Sequence, residues 1–218
     1  MSSYNWLSAV YEQASFVAFD TETTGIDIEK DRVVEIGAIK FDRSGIISRM
    51  NVLINPGMPI PPDASKVNNI TDEMLQDKPP MEAVIHDFLR FIKNSILVIH
   101  NAKFDIGMMD SELKRLGASG ITNKVVDTLV FAREVYPGLK TYALQKLAEL
   151  FNINVKDAHR AEDDARVCMD FFHLAVQHFF EEDAAMLENY RKETEIAEYI
   201  TSEDPVFHSA ETEAPRLF

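Results

Sequence analysis

Apolar residues come first in short runs and only later at helical spacing. Residues 16–19 run straight into Asp20, RVVEIGAIKF fills 32–41, and Gly45 marks the turn to a third run over 46–54. Short apolar runs bounded by turn residues predict strands, and three with tight connections predict an antiparallel meander. NPGMPIPPD, residues 55–63, predicts a proline-rich loop. Thr71 followed by Asp72 and Glu73 predicts a capped helix start. Within 82–94, Val84, Ile85, Phe88, Phe91 and Ile92 recur at the spacing of one buried helical face. ILVIH at 96–100 predicts a buried strand feeding a helix over 104–116, closed by Gly117. Val125 and Val126 predict a last small strand. Helices follow over 127–135, 141–151 and 161–180, with a loop at 152–160, and a short amphipathic helix or arm opens the chain over 2–13.

The order βββαβαβα, a meander followed by strand–helix alternation, predicts an α/β chain: a mixed five-stranded sheet flanked by helices. A chain of 218 residues suits one such domain over 16–180, preceded by an arm at 1–15. Residues 181–218 read as an acidic extension, partly helical, that loses periodicity beyond residue 192 and ends as tail.

Charge narrows the function. The net charge is −14, and the extension alone carries eleven acids against Arg191, Lys192 and Arg216. A broad grip on duplex nucleic acid draws on many neutralised phosphates, so this balance argues against it. If nucleic acid is the substrate, few phosphates are held and a metal supplies much of the positive charge. With no apolar run near the length of a membrane span and a single cysteine, Cys168, the chain reads as soluble and cytoplasmic, with no membrane contact. Cys168 falls on an apolar helical stripe and reads as inert core.

The acids at element ends carry the chemistry. Strand alternation puts Asp20 and Glu22 on one side, with Cα atoms roughly 6.5–7 Å apart; solvated strand-end acids are the alternative. Asp105 shares a helical side with Met108, Met109 and Leu116, so it borders an apolar face. From Asp164, helical steps reach Val167, Cys168, Phe171, Phe172, Leu174 and Ala175, a stripe where an unpaired charge costs several kcal/mol. Gathered together, the four acids would repel strongly. Hard divalent cations with oxygen ligands, Mg²⁺ or Mn²⁺, relieve that repulsion, whereas soft metals require clustered Cys and His that this chain lacks. Two such ions about 3.5–4 Å apart form a clamp for phosphodiester hydrolysis.

DTETTG at 20–25, HNAKFDIGMMDSEL at 100–113 and HRAEDDA at 159–165 together resemble the DEDDh family of 3′–5′ exonucleases, over about residues 15–180. Within it they are similar to the proofreading exonucleases of bacterial replicative polymerases. The resemblance implies a ribonuclease-H-like fold and two Mg²⁺ or Mn²⁺ ions held by Asp20, Glu22, Asp105 and Asp164. It implies His159 as general base, with a surface histidine as the alternative. Thr23 and Asn101 would lie beside the terminal nucleotide, with loop capping the alternative for Asn101. Glu35 would stand behind the acids or lie exposed on an edge, and Lys103 and Arg160 would meet a phosphate or face solvent. The implied substrate is the single-stranded 3′ end of DNA, with RNA as the alternative, and the products are nucleoside 5′-monophosphates. Implied partners are the catalytic subunit of DNA polymerase III or a sliding clamp, the latter echoed in the terminal EAPRLF. A non-catalytic scaffold on the same fold is the reading from another class, and oligomeric state stays open. One departure stands out: Val67-Asn68-Asn69 precedes Ile70-Thr71 where many relatives carry His-Gly.

Overall fold

Five strands form one sheet in the order β3-β2-β1-β4-β5 in this computed structural model, which describes residues 3–156 and 158–203. The strands are β1 Phe16–Thr23, β2 Val33–Asp42, β3 Gly45–Leu53, β4 Ile96–Ile99 and β5 Val125–Asp127. β1, β2 and β3 pair antiparallel, whereas β1 with β4 and β4 with β5 are parallel. The meander and the crossover strands together make the mixed sheet expected of the ribonuclease-H-like fold. The helices are α1 Trp6–Val10, α2 Pro62–Asn68, α3 Asp72–Leu75, α4 Met81–Ile92, α5 Ala102–Arg115, α6 Thr128–Val135, α7 Leu144–Leu150 and α8 Ala161–Glu203. The chain divides into two compact units, Met1–Gln177 and His178–Phe218. The terminal EAPRLF lies outside the described residues. Among the described residues, no helix is long and apolar enough to cross a membrane.

Three elements differ from expectation. α2 occupies the end of the proline-rich segment because Pro62 stands in the first turn of the helix, where a missing N–H costs nothing and a fixed φ fits. β1 continues past Asp20 to Thr23, which carries both acids of the first motif on regular strand. α8 runs through Glu203 rather than ending near 180, since the acidic stretch is rich in Glu and Ala, both strong helix formers.

Alternation along β1 divides the core. Val17 and Phe19 join Ile36, Phe88, Met108 and Leu113 against α4 and α5. Phe16, on the opposite side, packs against Phe41 and Phe172 with ring centroids 5.4 and 5.2 Å away. Phe16, Phe41 and Phe172 have no exposure, and burying such a side chain stabilises by roughly 1.5–3 kcal/mol. The same alternation sends Asp20 and Glu22 toward the Phe16 side and Thr21 toward the other. Two stripe assignments need correction: Leu116 and Leu174 are 36% and 39% exposed. Leu116 falls just past the last residue of α5, where the helix has ended.

Gly37 fixes where α8 begins. A Cβ there would come within 2.1 Å of the Ala161 carbonyl carbon and the Glu162 nitrogen, so the first turn of α8 lies directly on β2. Gly37 is also the register partner of Asp20. The contact therefore sets the start of α8 beside the acids of β1.

Candidate active site

The parallel pairing of β1 with β4 stops at Ala18 and Val98, while β1 goes on for five more residues. The C-terminal ends of parallel strands, where chain connections diverge, leave a crevice open to ligand. Asp20 and Glu22 project there from β1, and Asp164 meets them from the first turn of α8. One carboxylate oxygen from each lies within 4.8 Å of the others.

Asp164 is held from both sides. Its Oδ2 accepts the His159 backbone N–H at 3.0 Å, and its Oδ1 accepts from Gln145 Nε2 at 2.6 Å. Asp20 and Glu22 have no such donors among the described residues. Burial is the main cause that drives all three carboxyls above their ordinary range, and the neighbouring acids add to it for Asp20 and Glu22. Asp20 is raised well above it, Glu22 is pushed up to about 8, and Asp164 is raised despite its hydrogen bonds. Three carboxylates, two of them with no donor of their own, suit a hard divalent cation: it would supply the oxygen-seeking charge that the protein withholds.

Asp105 is placed differently. It is 3% exposed, and its Oδ1 accepts both the Thr21 N–H at 2.9 Å and the Thr21 hydroxyl at 2.7 Å. Thr21 points to the α5 side of β1, so Asp105 reaches the acid group from the opposite face. Burial raises its carboxyl to about 7, against the lowering effect of the two Thr21 bonds. Its charge is nonetheless the largest carboxylate influence on Asp20.

The remaining candidates take local roles in the fold. His159 is exposed and sits at φ 63°, a left-handed conformation that histidine enters more readily than most residues. This bend turns its N–H onto Asp164. The Thr23 hydroxyl donates to the Gly25 carbonyl at 2.6 Å. Asn101, also left-handed at φ 61°, donates its N–H to Asp127 at 3.1 Å, and its side chain caps nothing. Arg160 grips the fully buried Glu35 through two bonds of 3.0 and 2.8 Å. Its fork is thus spent on a carboxylate rather than offered to a phosphate. Asn68 is 2% exposed; it donates to the Thr23 carbonyl and accepts from the Ile70 N–H. The departure from His-Gly thus tethers the end of β1 from within.

Three supports escaped the sequence reading. Gln145 sits beside an apolar stripe on α7 with nothing in its spacing to mark it. Thr21 is hidden between two conspicuous acids. Asp127 accepts backbone N–H groups from Asn101, Ala102 and Leu129, tying the starts of α5 and α6 together. An Asp at the junction of strand and helix was the available signal for it. Ile26, just beyond the Thr24-Gly25 turn, is 88% exposed. Cys168 is buried, with its thiol driven upward by burial, as an inert core residue should be.

A group of acids able to hold a metal ion, set at the open ends of a ribonuclease-H-like sheet, fits a nuclease class, and the comparisons with known proteins agree. The exonuclease family model matches residues 17–172, and the chain belongs to this family: it is a 3′–5′ exonuclease, a hydrolase of phosphodiester bonds. Members of the family depend on metal. Over 177 residues the chain is 51% identical to DNA polymerase III subunit epsilon of Treponema pallidum, covering 80% of this chain and 82% of that protein. It is 39% identical to the PolC-type DNA polymerase III of Caldanaerobacter subterraneus, over 73% of this chain but only 11% of that polymerase. Exonuclease X in complex with 5′ overhanging duplex DNA aligns with a TM-score of 0.61 and 26% identity, over 76% of this chain and 92% of that one. E. coli Exonuclease I in complex with a dT13 oligonucleotide, at TM-score 0.70 and 18% identity over 80% of this chain and 44% of that one, shares the fold.

Proposed function

We propose that the chain is a proofreading exonuclease that removes nucleoside 5′-monophosphates from the single-stranded 3′ end of DNA. The observation that carries this reading is the gathering of Asp20, Glu22 and Asp164 within one another's reach, in a chain 51% identical to a polymerase III epsilon subunit. The exonuclease domain is assigned to 16–180, with 181–218 as an extension.

Asp20, Glu22 and Asp164, with Asp105 behind them, would hold two Mg²⁺ or Mn²⁺ ions. When bound, such ions supply Lewis acidity and neutralise charge building on the phosphate. The chain's own groups do the rest. His159 takes a proton from the attacking water and later releases it, a task suited to an imidazole at neutral pH. Gln145 and the His159 N–H keep the Asp164 carboxylate turned toward Asp20 and Glu22. The backbone around Thr23 and Asn101 lines the place of the terminal nucleotide, and Ile26 offers an apolar face to its base. The catalytic subunit of DNA polymerase III or a sliding clamp is the partner implied by the epsilon-like sequence.

The test is turnover on defined 3′ ends, matched, mismatched and ribo-terminated, with and without Mg²⁺ or Mn²⁺. Metal-dependent release of deoxynucleoside monophosphates, faster at mismatched ends, is expected. Preference for ribo-terminated ends would replace the proofreading assignment with RNA trimming.

A further inference from the structure

We propose that the edge strand β3 and the segment before α8 form a phosphate track, which holds the DNA strand upstream of the bond being cut. This rests on the reading of the chain as a nuclease acting at a 3′ end. Register places the track. Asp20 lies opposite Gly37 and Glu22 opposite Glu35 on β2, and these in turn lie opposite Asn51 and Leu53 on β3. Residues directly opposite in antiparallel pairs share a face, so Arg49 and Asn51 stand on the same face as the catalytic acids. They are two strands further out, at the open edge of the sheet.

The surface there is a groove. A cavity of 340 Å³ lies between Arg49, Asn51, Lys156, Arg160 and Arg166, and a second shares Asn51 and Arg160 and extends to Lys78. The two adjoin at Asn51 and Arg160, which line both. Together they bring five cations against Glu35, Glu162 and Asp163, in a chain whose net charge is −14.

Those cations differ in what they can give a ligand. Arg160 is committed to Glu35 and contributes only its field, and Arg166 is held by Asp163 and Asp170. Arg49 meets Glu162 in an exposed pair at 3.1 Å, a kind of contact that water and salt weaken. Lys78 and Lys156 are exposed, and no ion pair holds their ammonium groups among the described residues. Arg49, Lys78 and Lys156 are therefore the groups that contact phosphate. A short polyanionic strand complements this groove, because neutralising two or three phosphates requires no broad basic face. The bases stay free, so the track is indifferent to sequence.

The experiment compares two ligands: an oligothymidylate of about 15 nucleotides, long enough to cover the groove, and the 4-nitrophenyl ester of thymidine 5′-monophosphate, which ends at the scissile bond. For the double variant Arg49→Ala/Lys156→Ala, oligomer binding by fluorescence anisotropy should weaken about tenfold. The slope of log affinity against log salt should fall by about 0.7 for each phosphate contact removed. The rise in KM on the oligomer should exceed that on the ester by at least about fivefold, and Lys78→Glu should weaken oligomer binding in the same way. An unchanged salt slope, or equal losses on the two substrates, overturns the track. Failure of the wild-type protein to cleave the ester with Mn²⁺ would instead overturn the nuclease reading, and the anisotropy measurement would still decide the track.

Discussion

Two sets of buried or half-buried acids in this protein are treated by the fold in opposite ways. Glu112 and Glu35, 1% and 0% exposed, are each met by guanidinium: Arg32 and Arg115 around the first, Arg160 around the second. Among the described residues, Asp20 and Glu22 have no guanidinium in contact and no hydrogen-bond donor, and the donors to Asp164 are neutral. A fold that pairs its structural acids yet leaves these unpaired has kept their charge available. The difference separates charge that holds the chain together from charge left open to the metal proposed above.

The sharpest way to break this division is to neutralise one member of each group. Asp20→Asn should lower kcat by about 10³-fold or more, by loss of several kcal/mol of transition-state stabilisation. Its metal-free melting temperature should hold or rise, because a repulsion is removed. Steady-state kinetics with calorimetry checks both, and a melting temperature that falls with activity would erase the distinction. Glu112→Ala should do the reverse. Leaving Arg32 without its partner costs about 3–5 kcal/mol of stability, read by denaturant unfolding, while the folded fraction keeps its activity. Gly37→Ala should cost about 1–3 kcal/mol or more, because its methyl group meets helix backbone rather than a flexible side chain.

How much of this was legible in the sequence follows the same division. Acids bordering apolar stripes stand out, so Asp20, Glu22 and Asp164 could be singled out by periodicity and assembled by motif. The strand–helix order was legible because the apolar runs are short and well punctuated. The supports were not. Thr21 and Gln145 act through hydrogen bonds to acids 84 and 19 positions away, and neither spacing nor composition marks them. The commitment of Arg160 to Glu35 was hidden for a related reason: Glu35 stood out in a largely apolar strand, but its counter-charge lies 125 residues further along the chain. The separate placement of Asp105 follows from strand alternation, with Thr21 on the opposite face, but only once β1 is known to continue past Asp20.

Two smaller effects sharpen the comparison. Raised carboxyls bind protons in the folded chain that the unfolded chain has already released. Metal-free stability should therefore fall as pH climbs from the ordinary carboxylate range through about 7 and 8, the positions of Asp105 and Glu22. A decline of about 5 °C in melting temperature between the two ends of that interval is expected, and adding Mn²⁺ at the upper end should restore it. A flat profile in scanning calorimetry would mean that the acids already carry a compensating charge. Least of all, Gln145→Ala should cost about tenfold in kcat or metal affinity, since it orients Asp164 without touching the reacting atoms; Gln145→Asn, one methylene shorter, should recover little.

The contact of Gly37 with the start of α8 also has a bearing on biosynthesis. Asp20 and Glu22 emerge from the ribosome early, whereas Asp164 emerges only after nearly all of the domain has been made. On the proposed site, the acid group would be incomplete until that last segment settles on β2. If Asp164 is the metal ligand proposed above, a chain cut short before α8 should be inactive, and activity would report that synthesis has reached the first turn of the last helix.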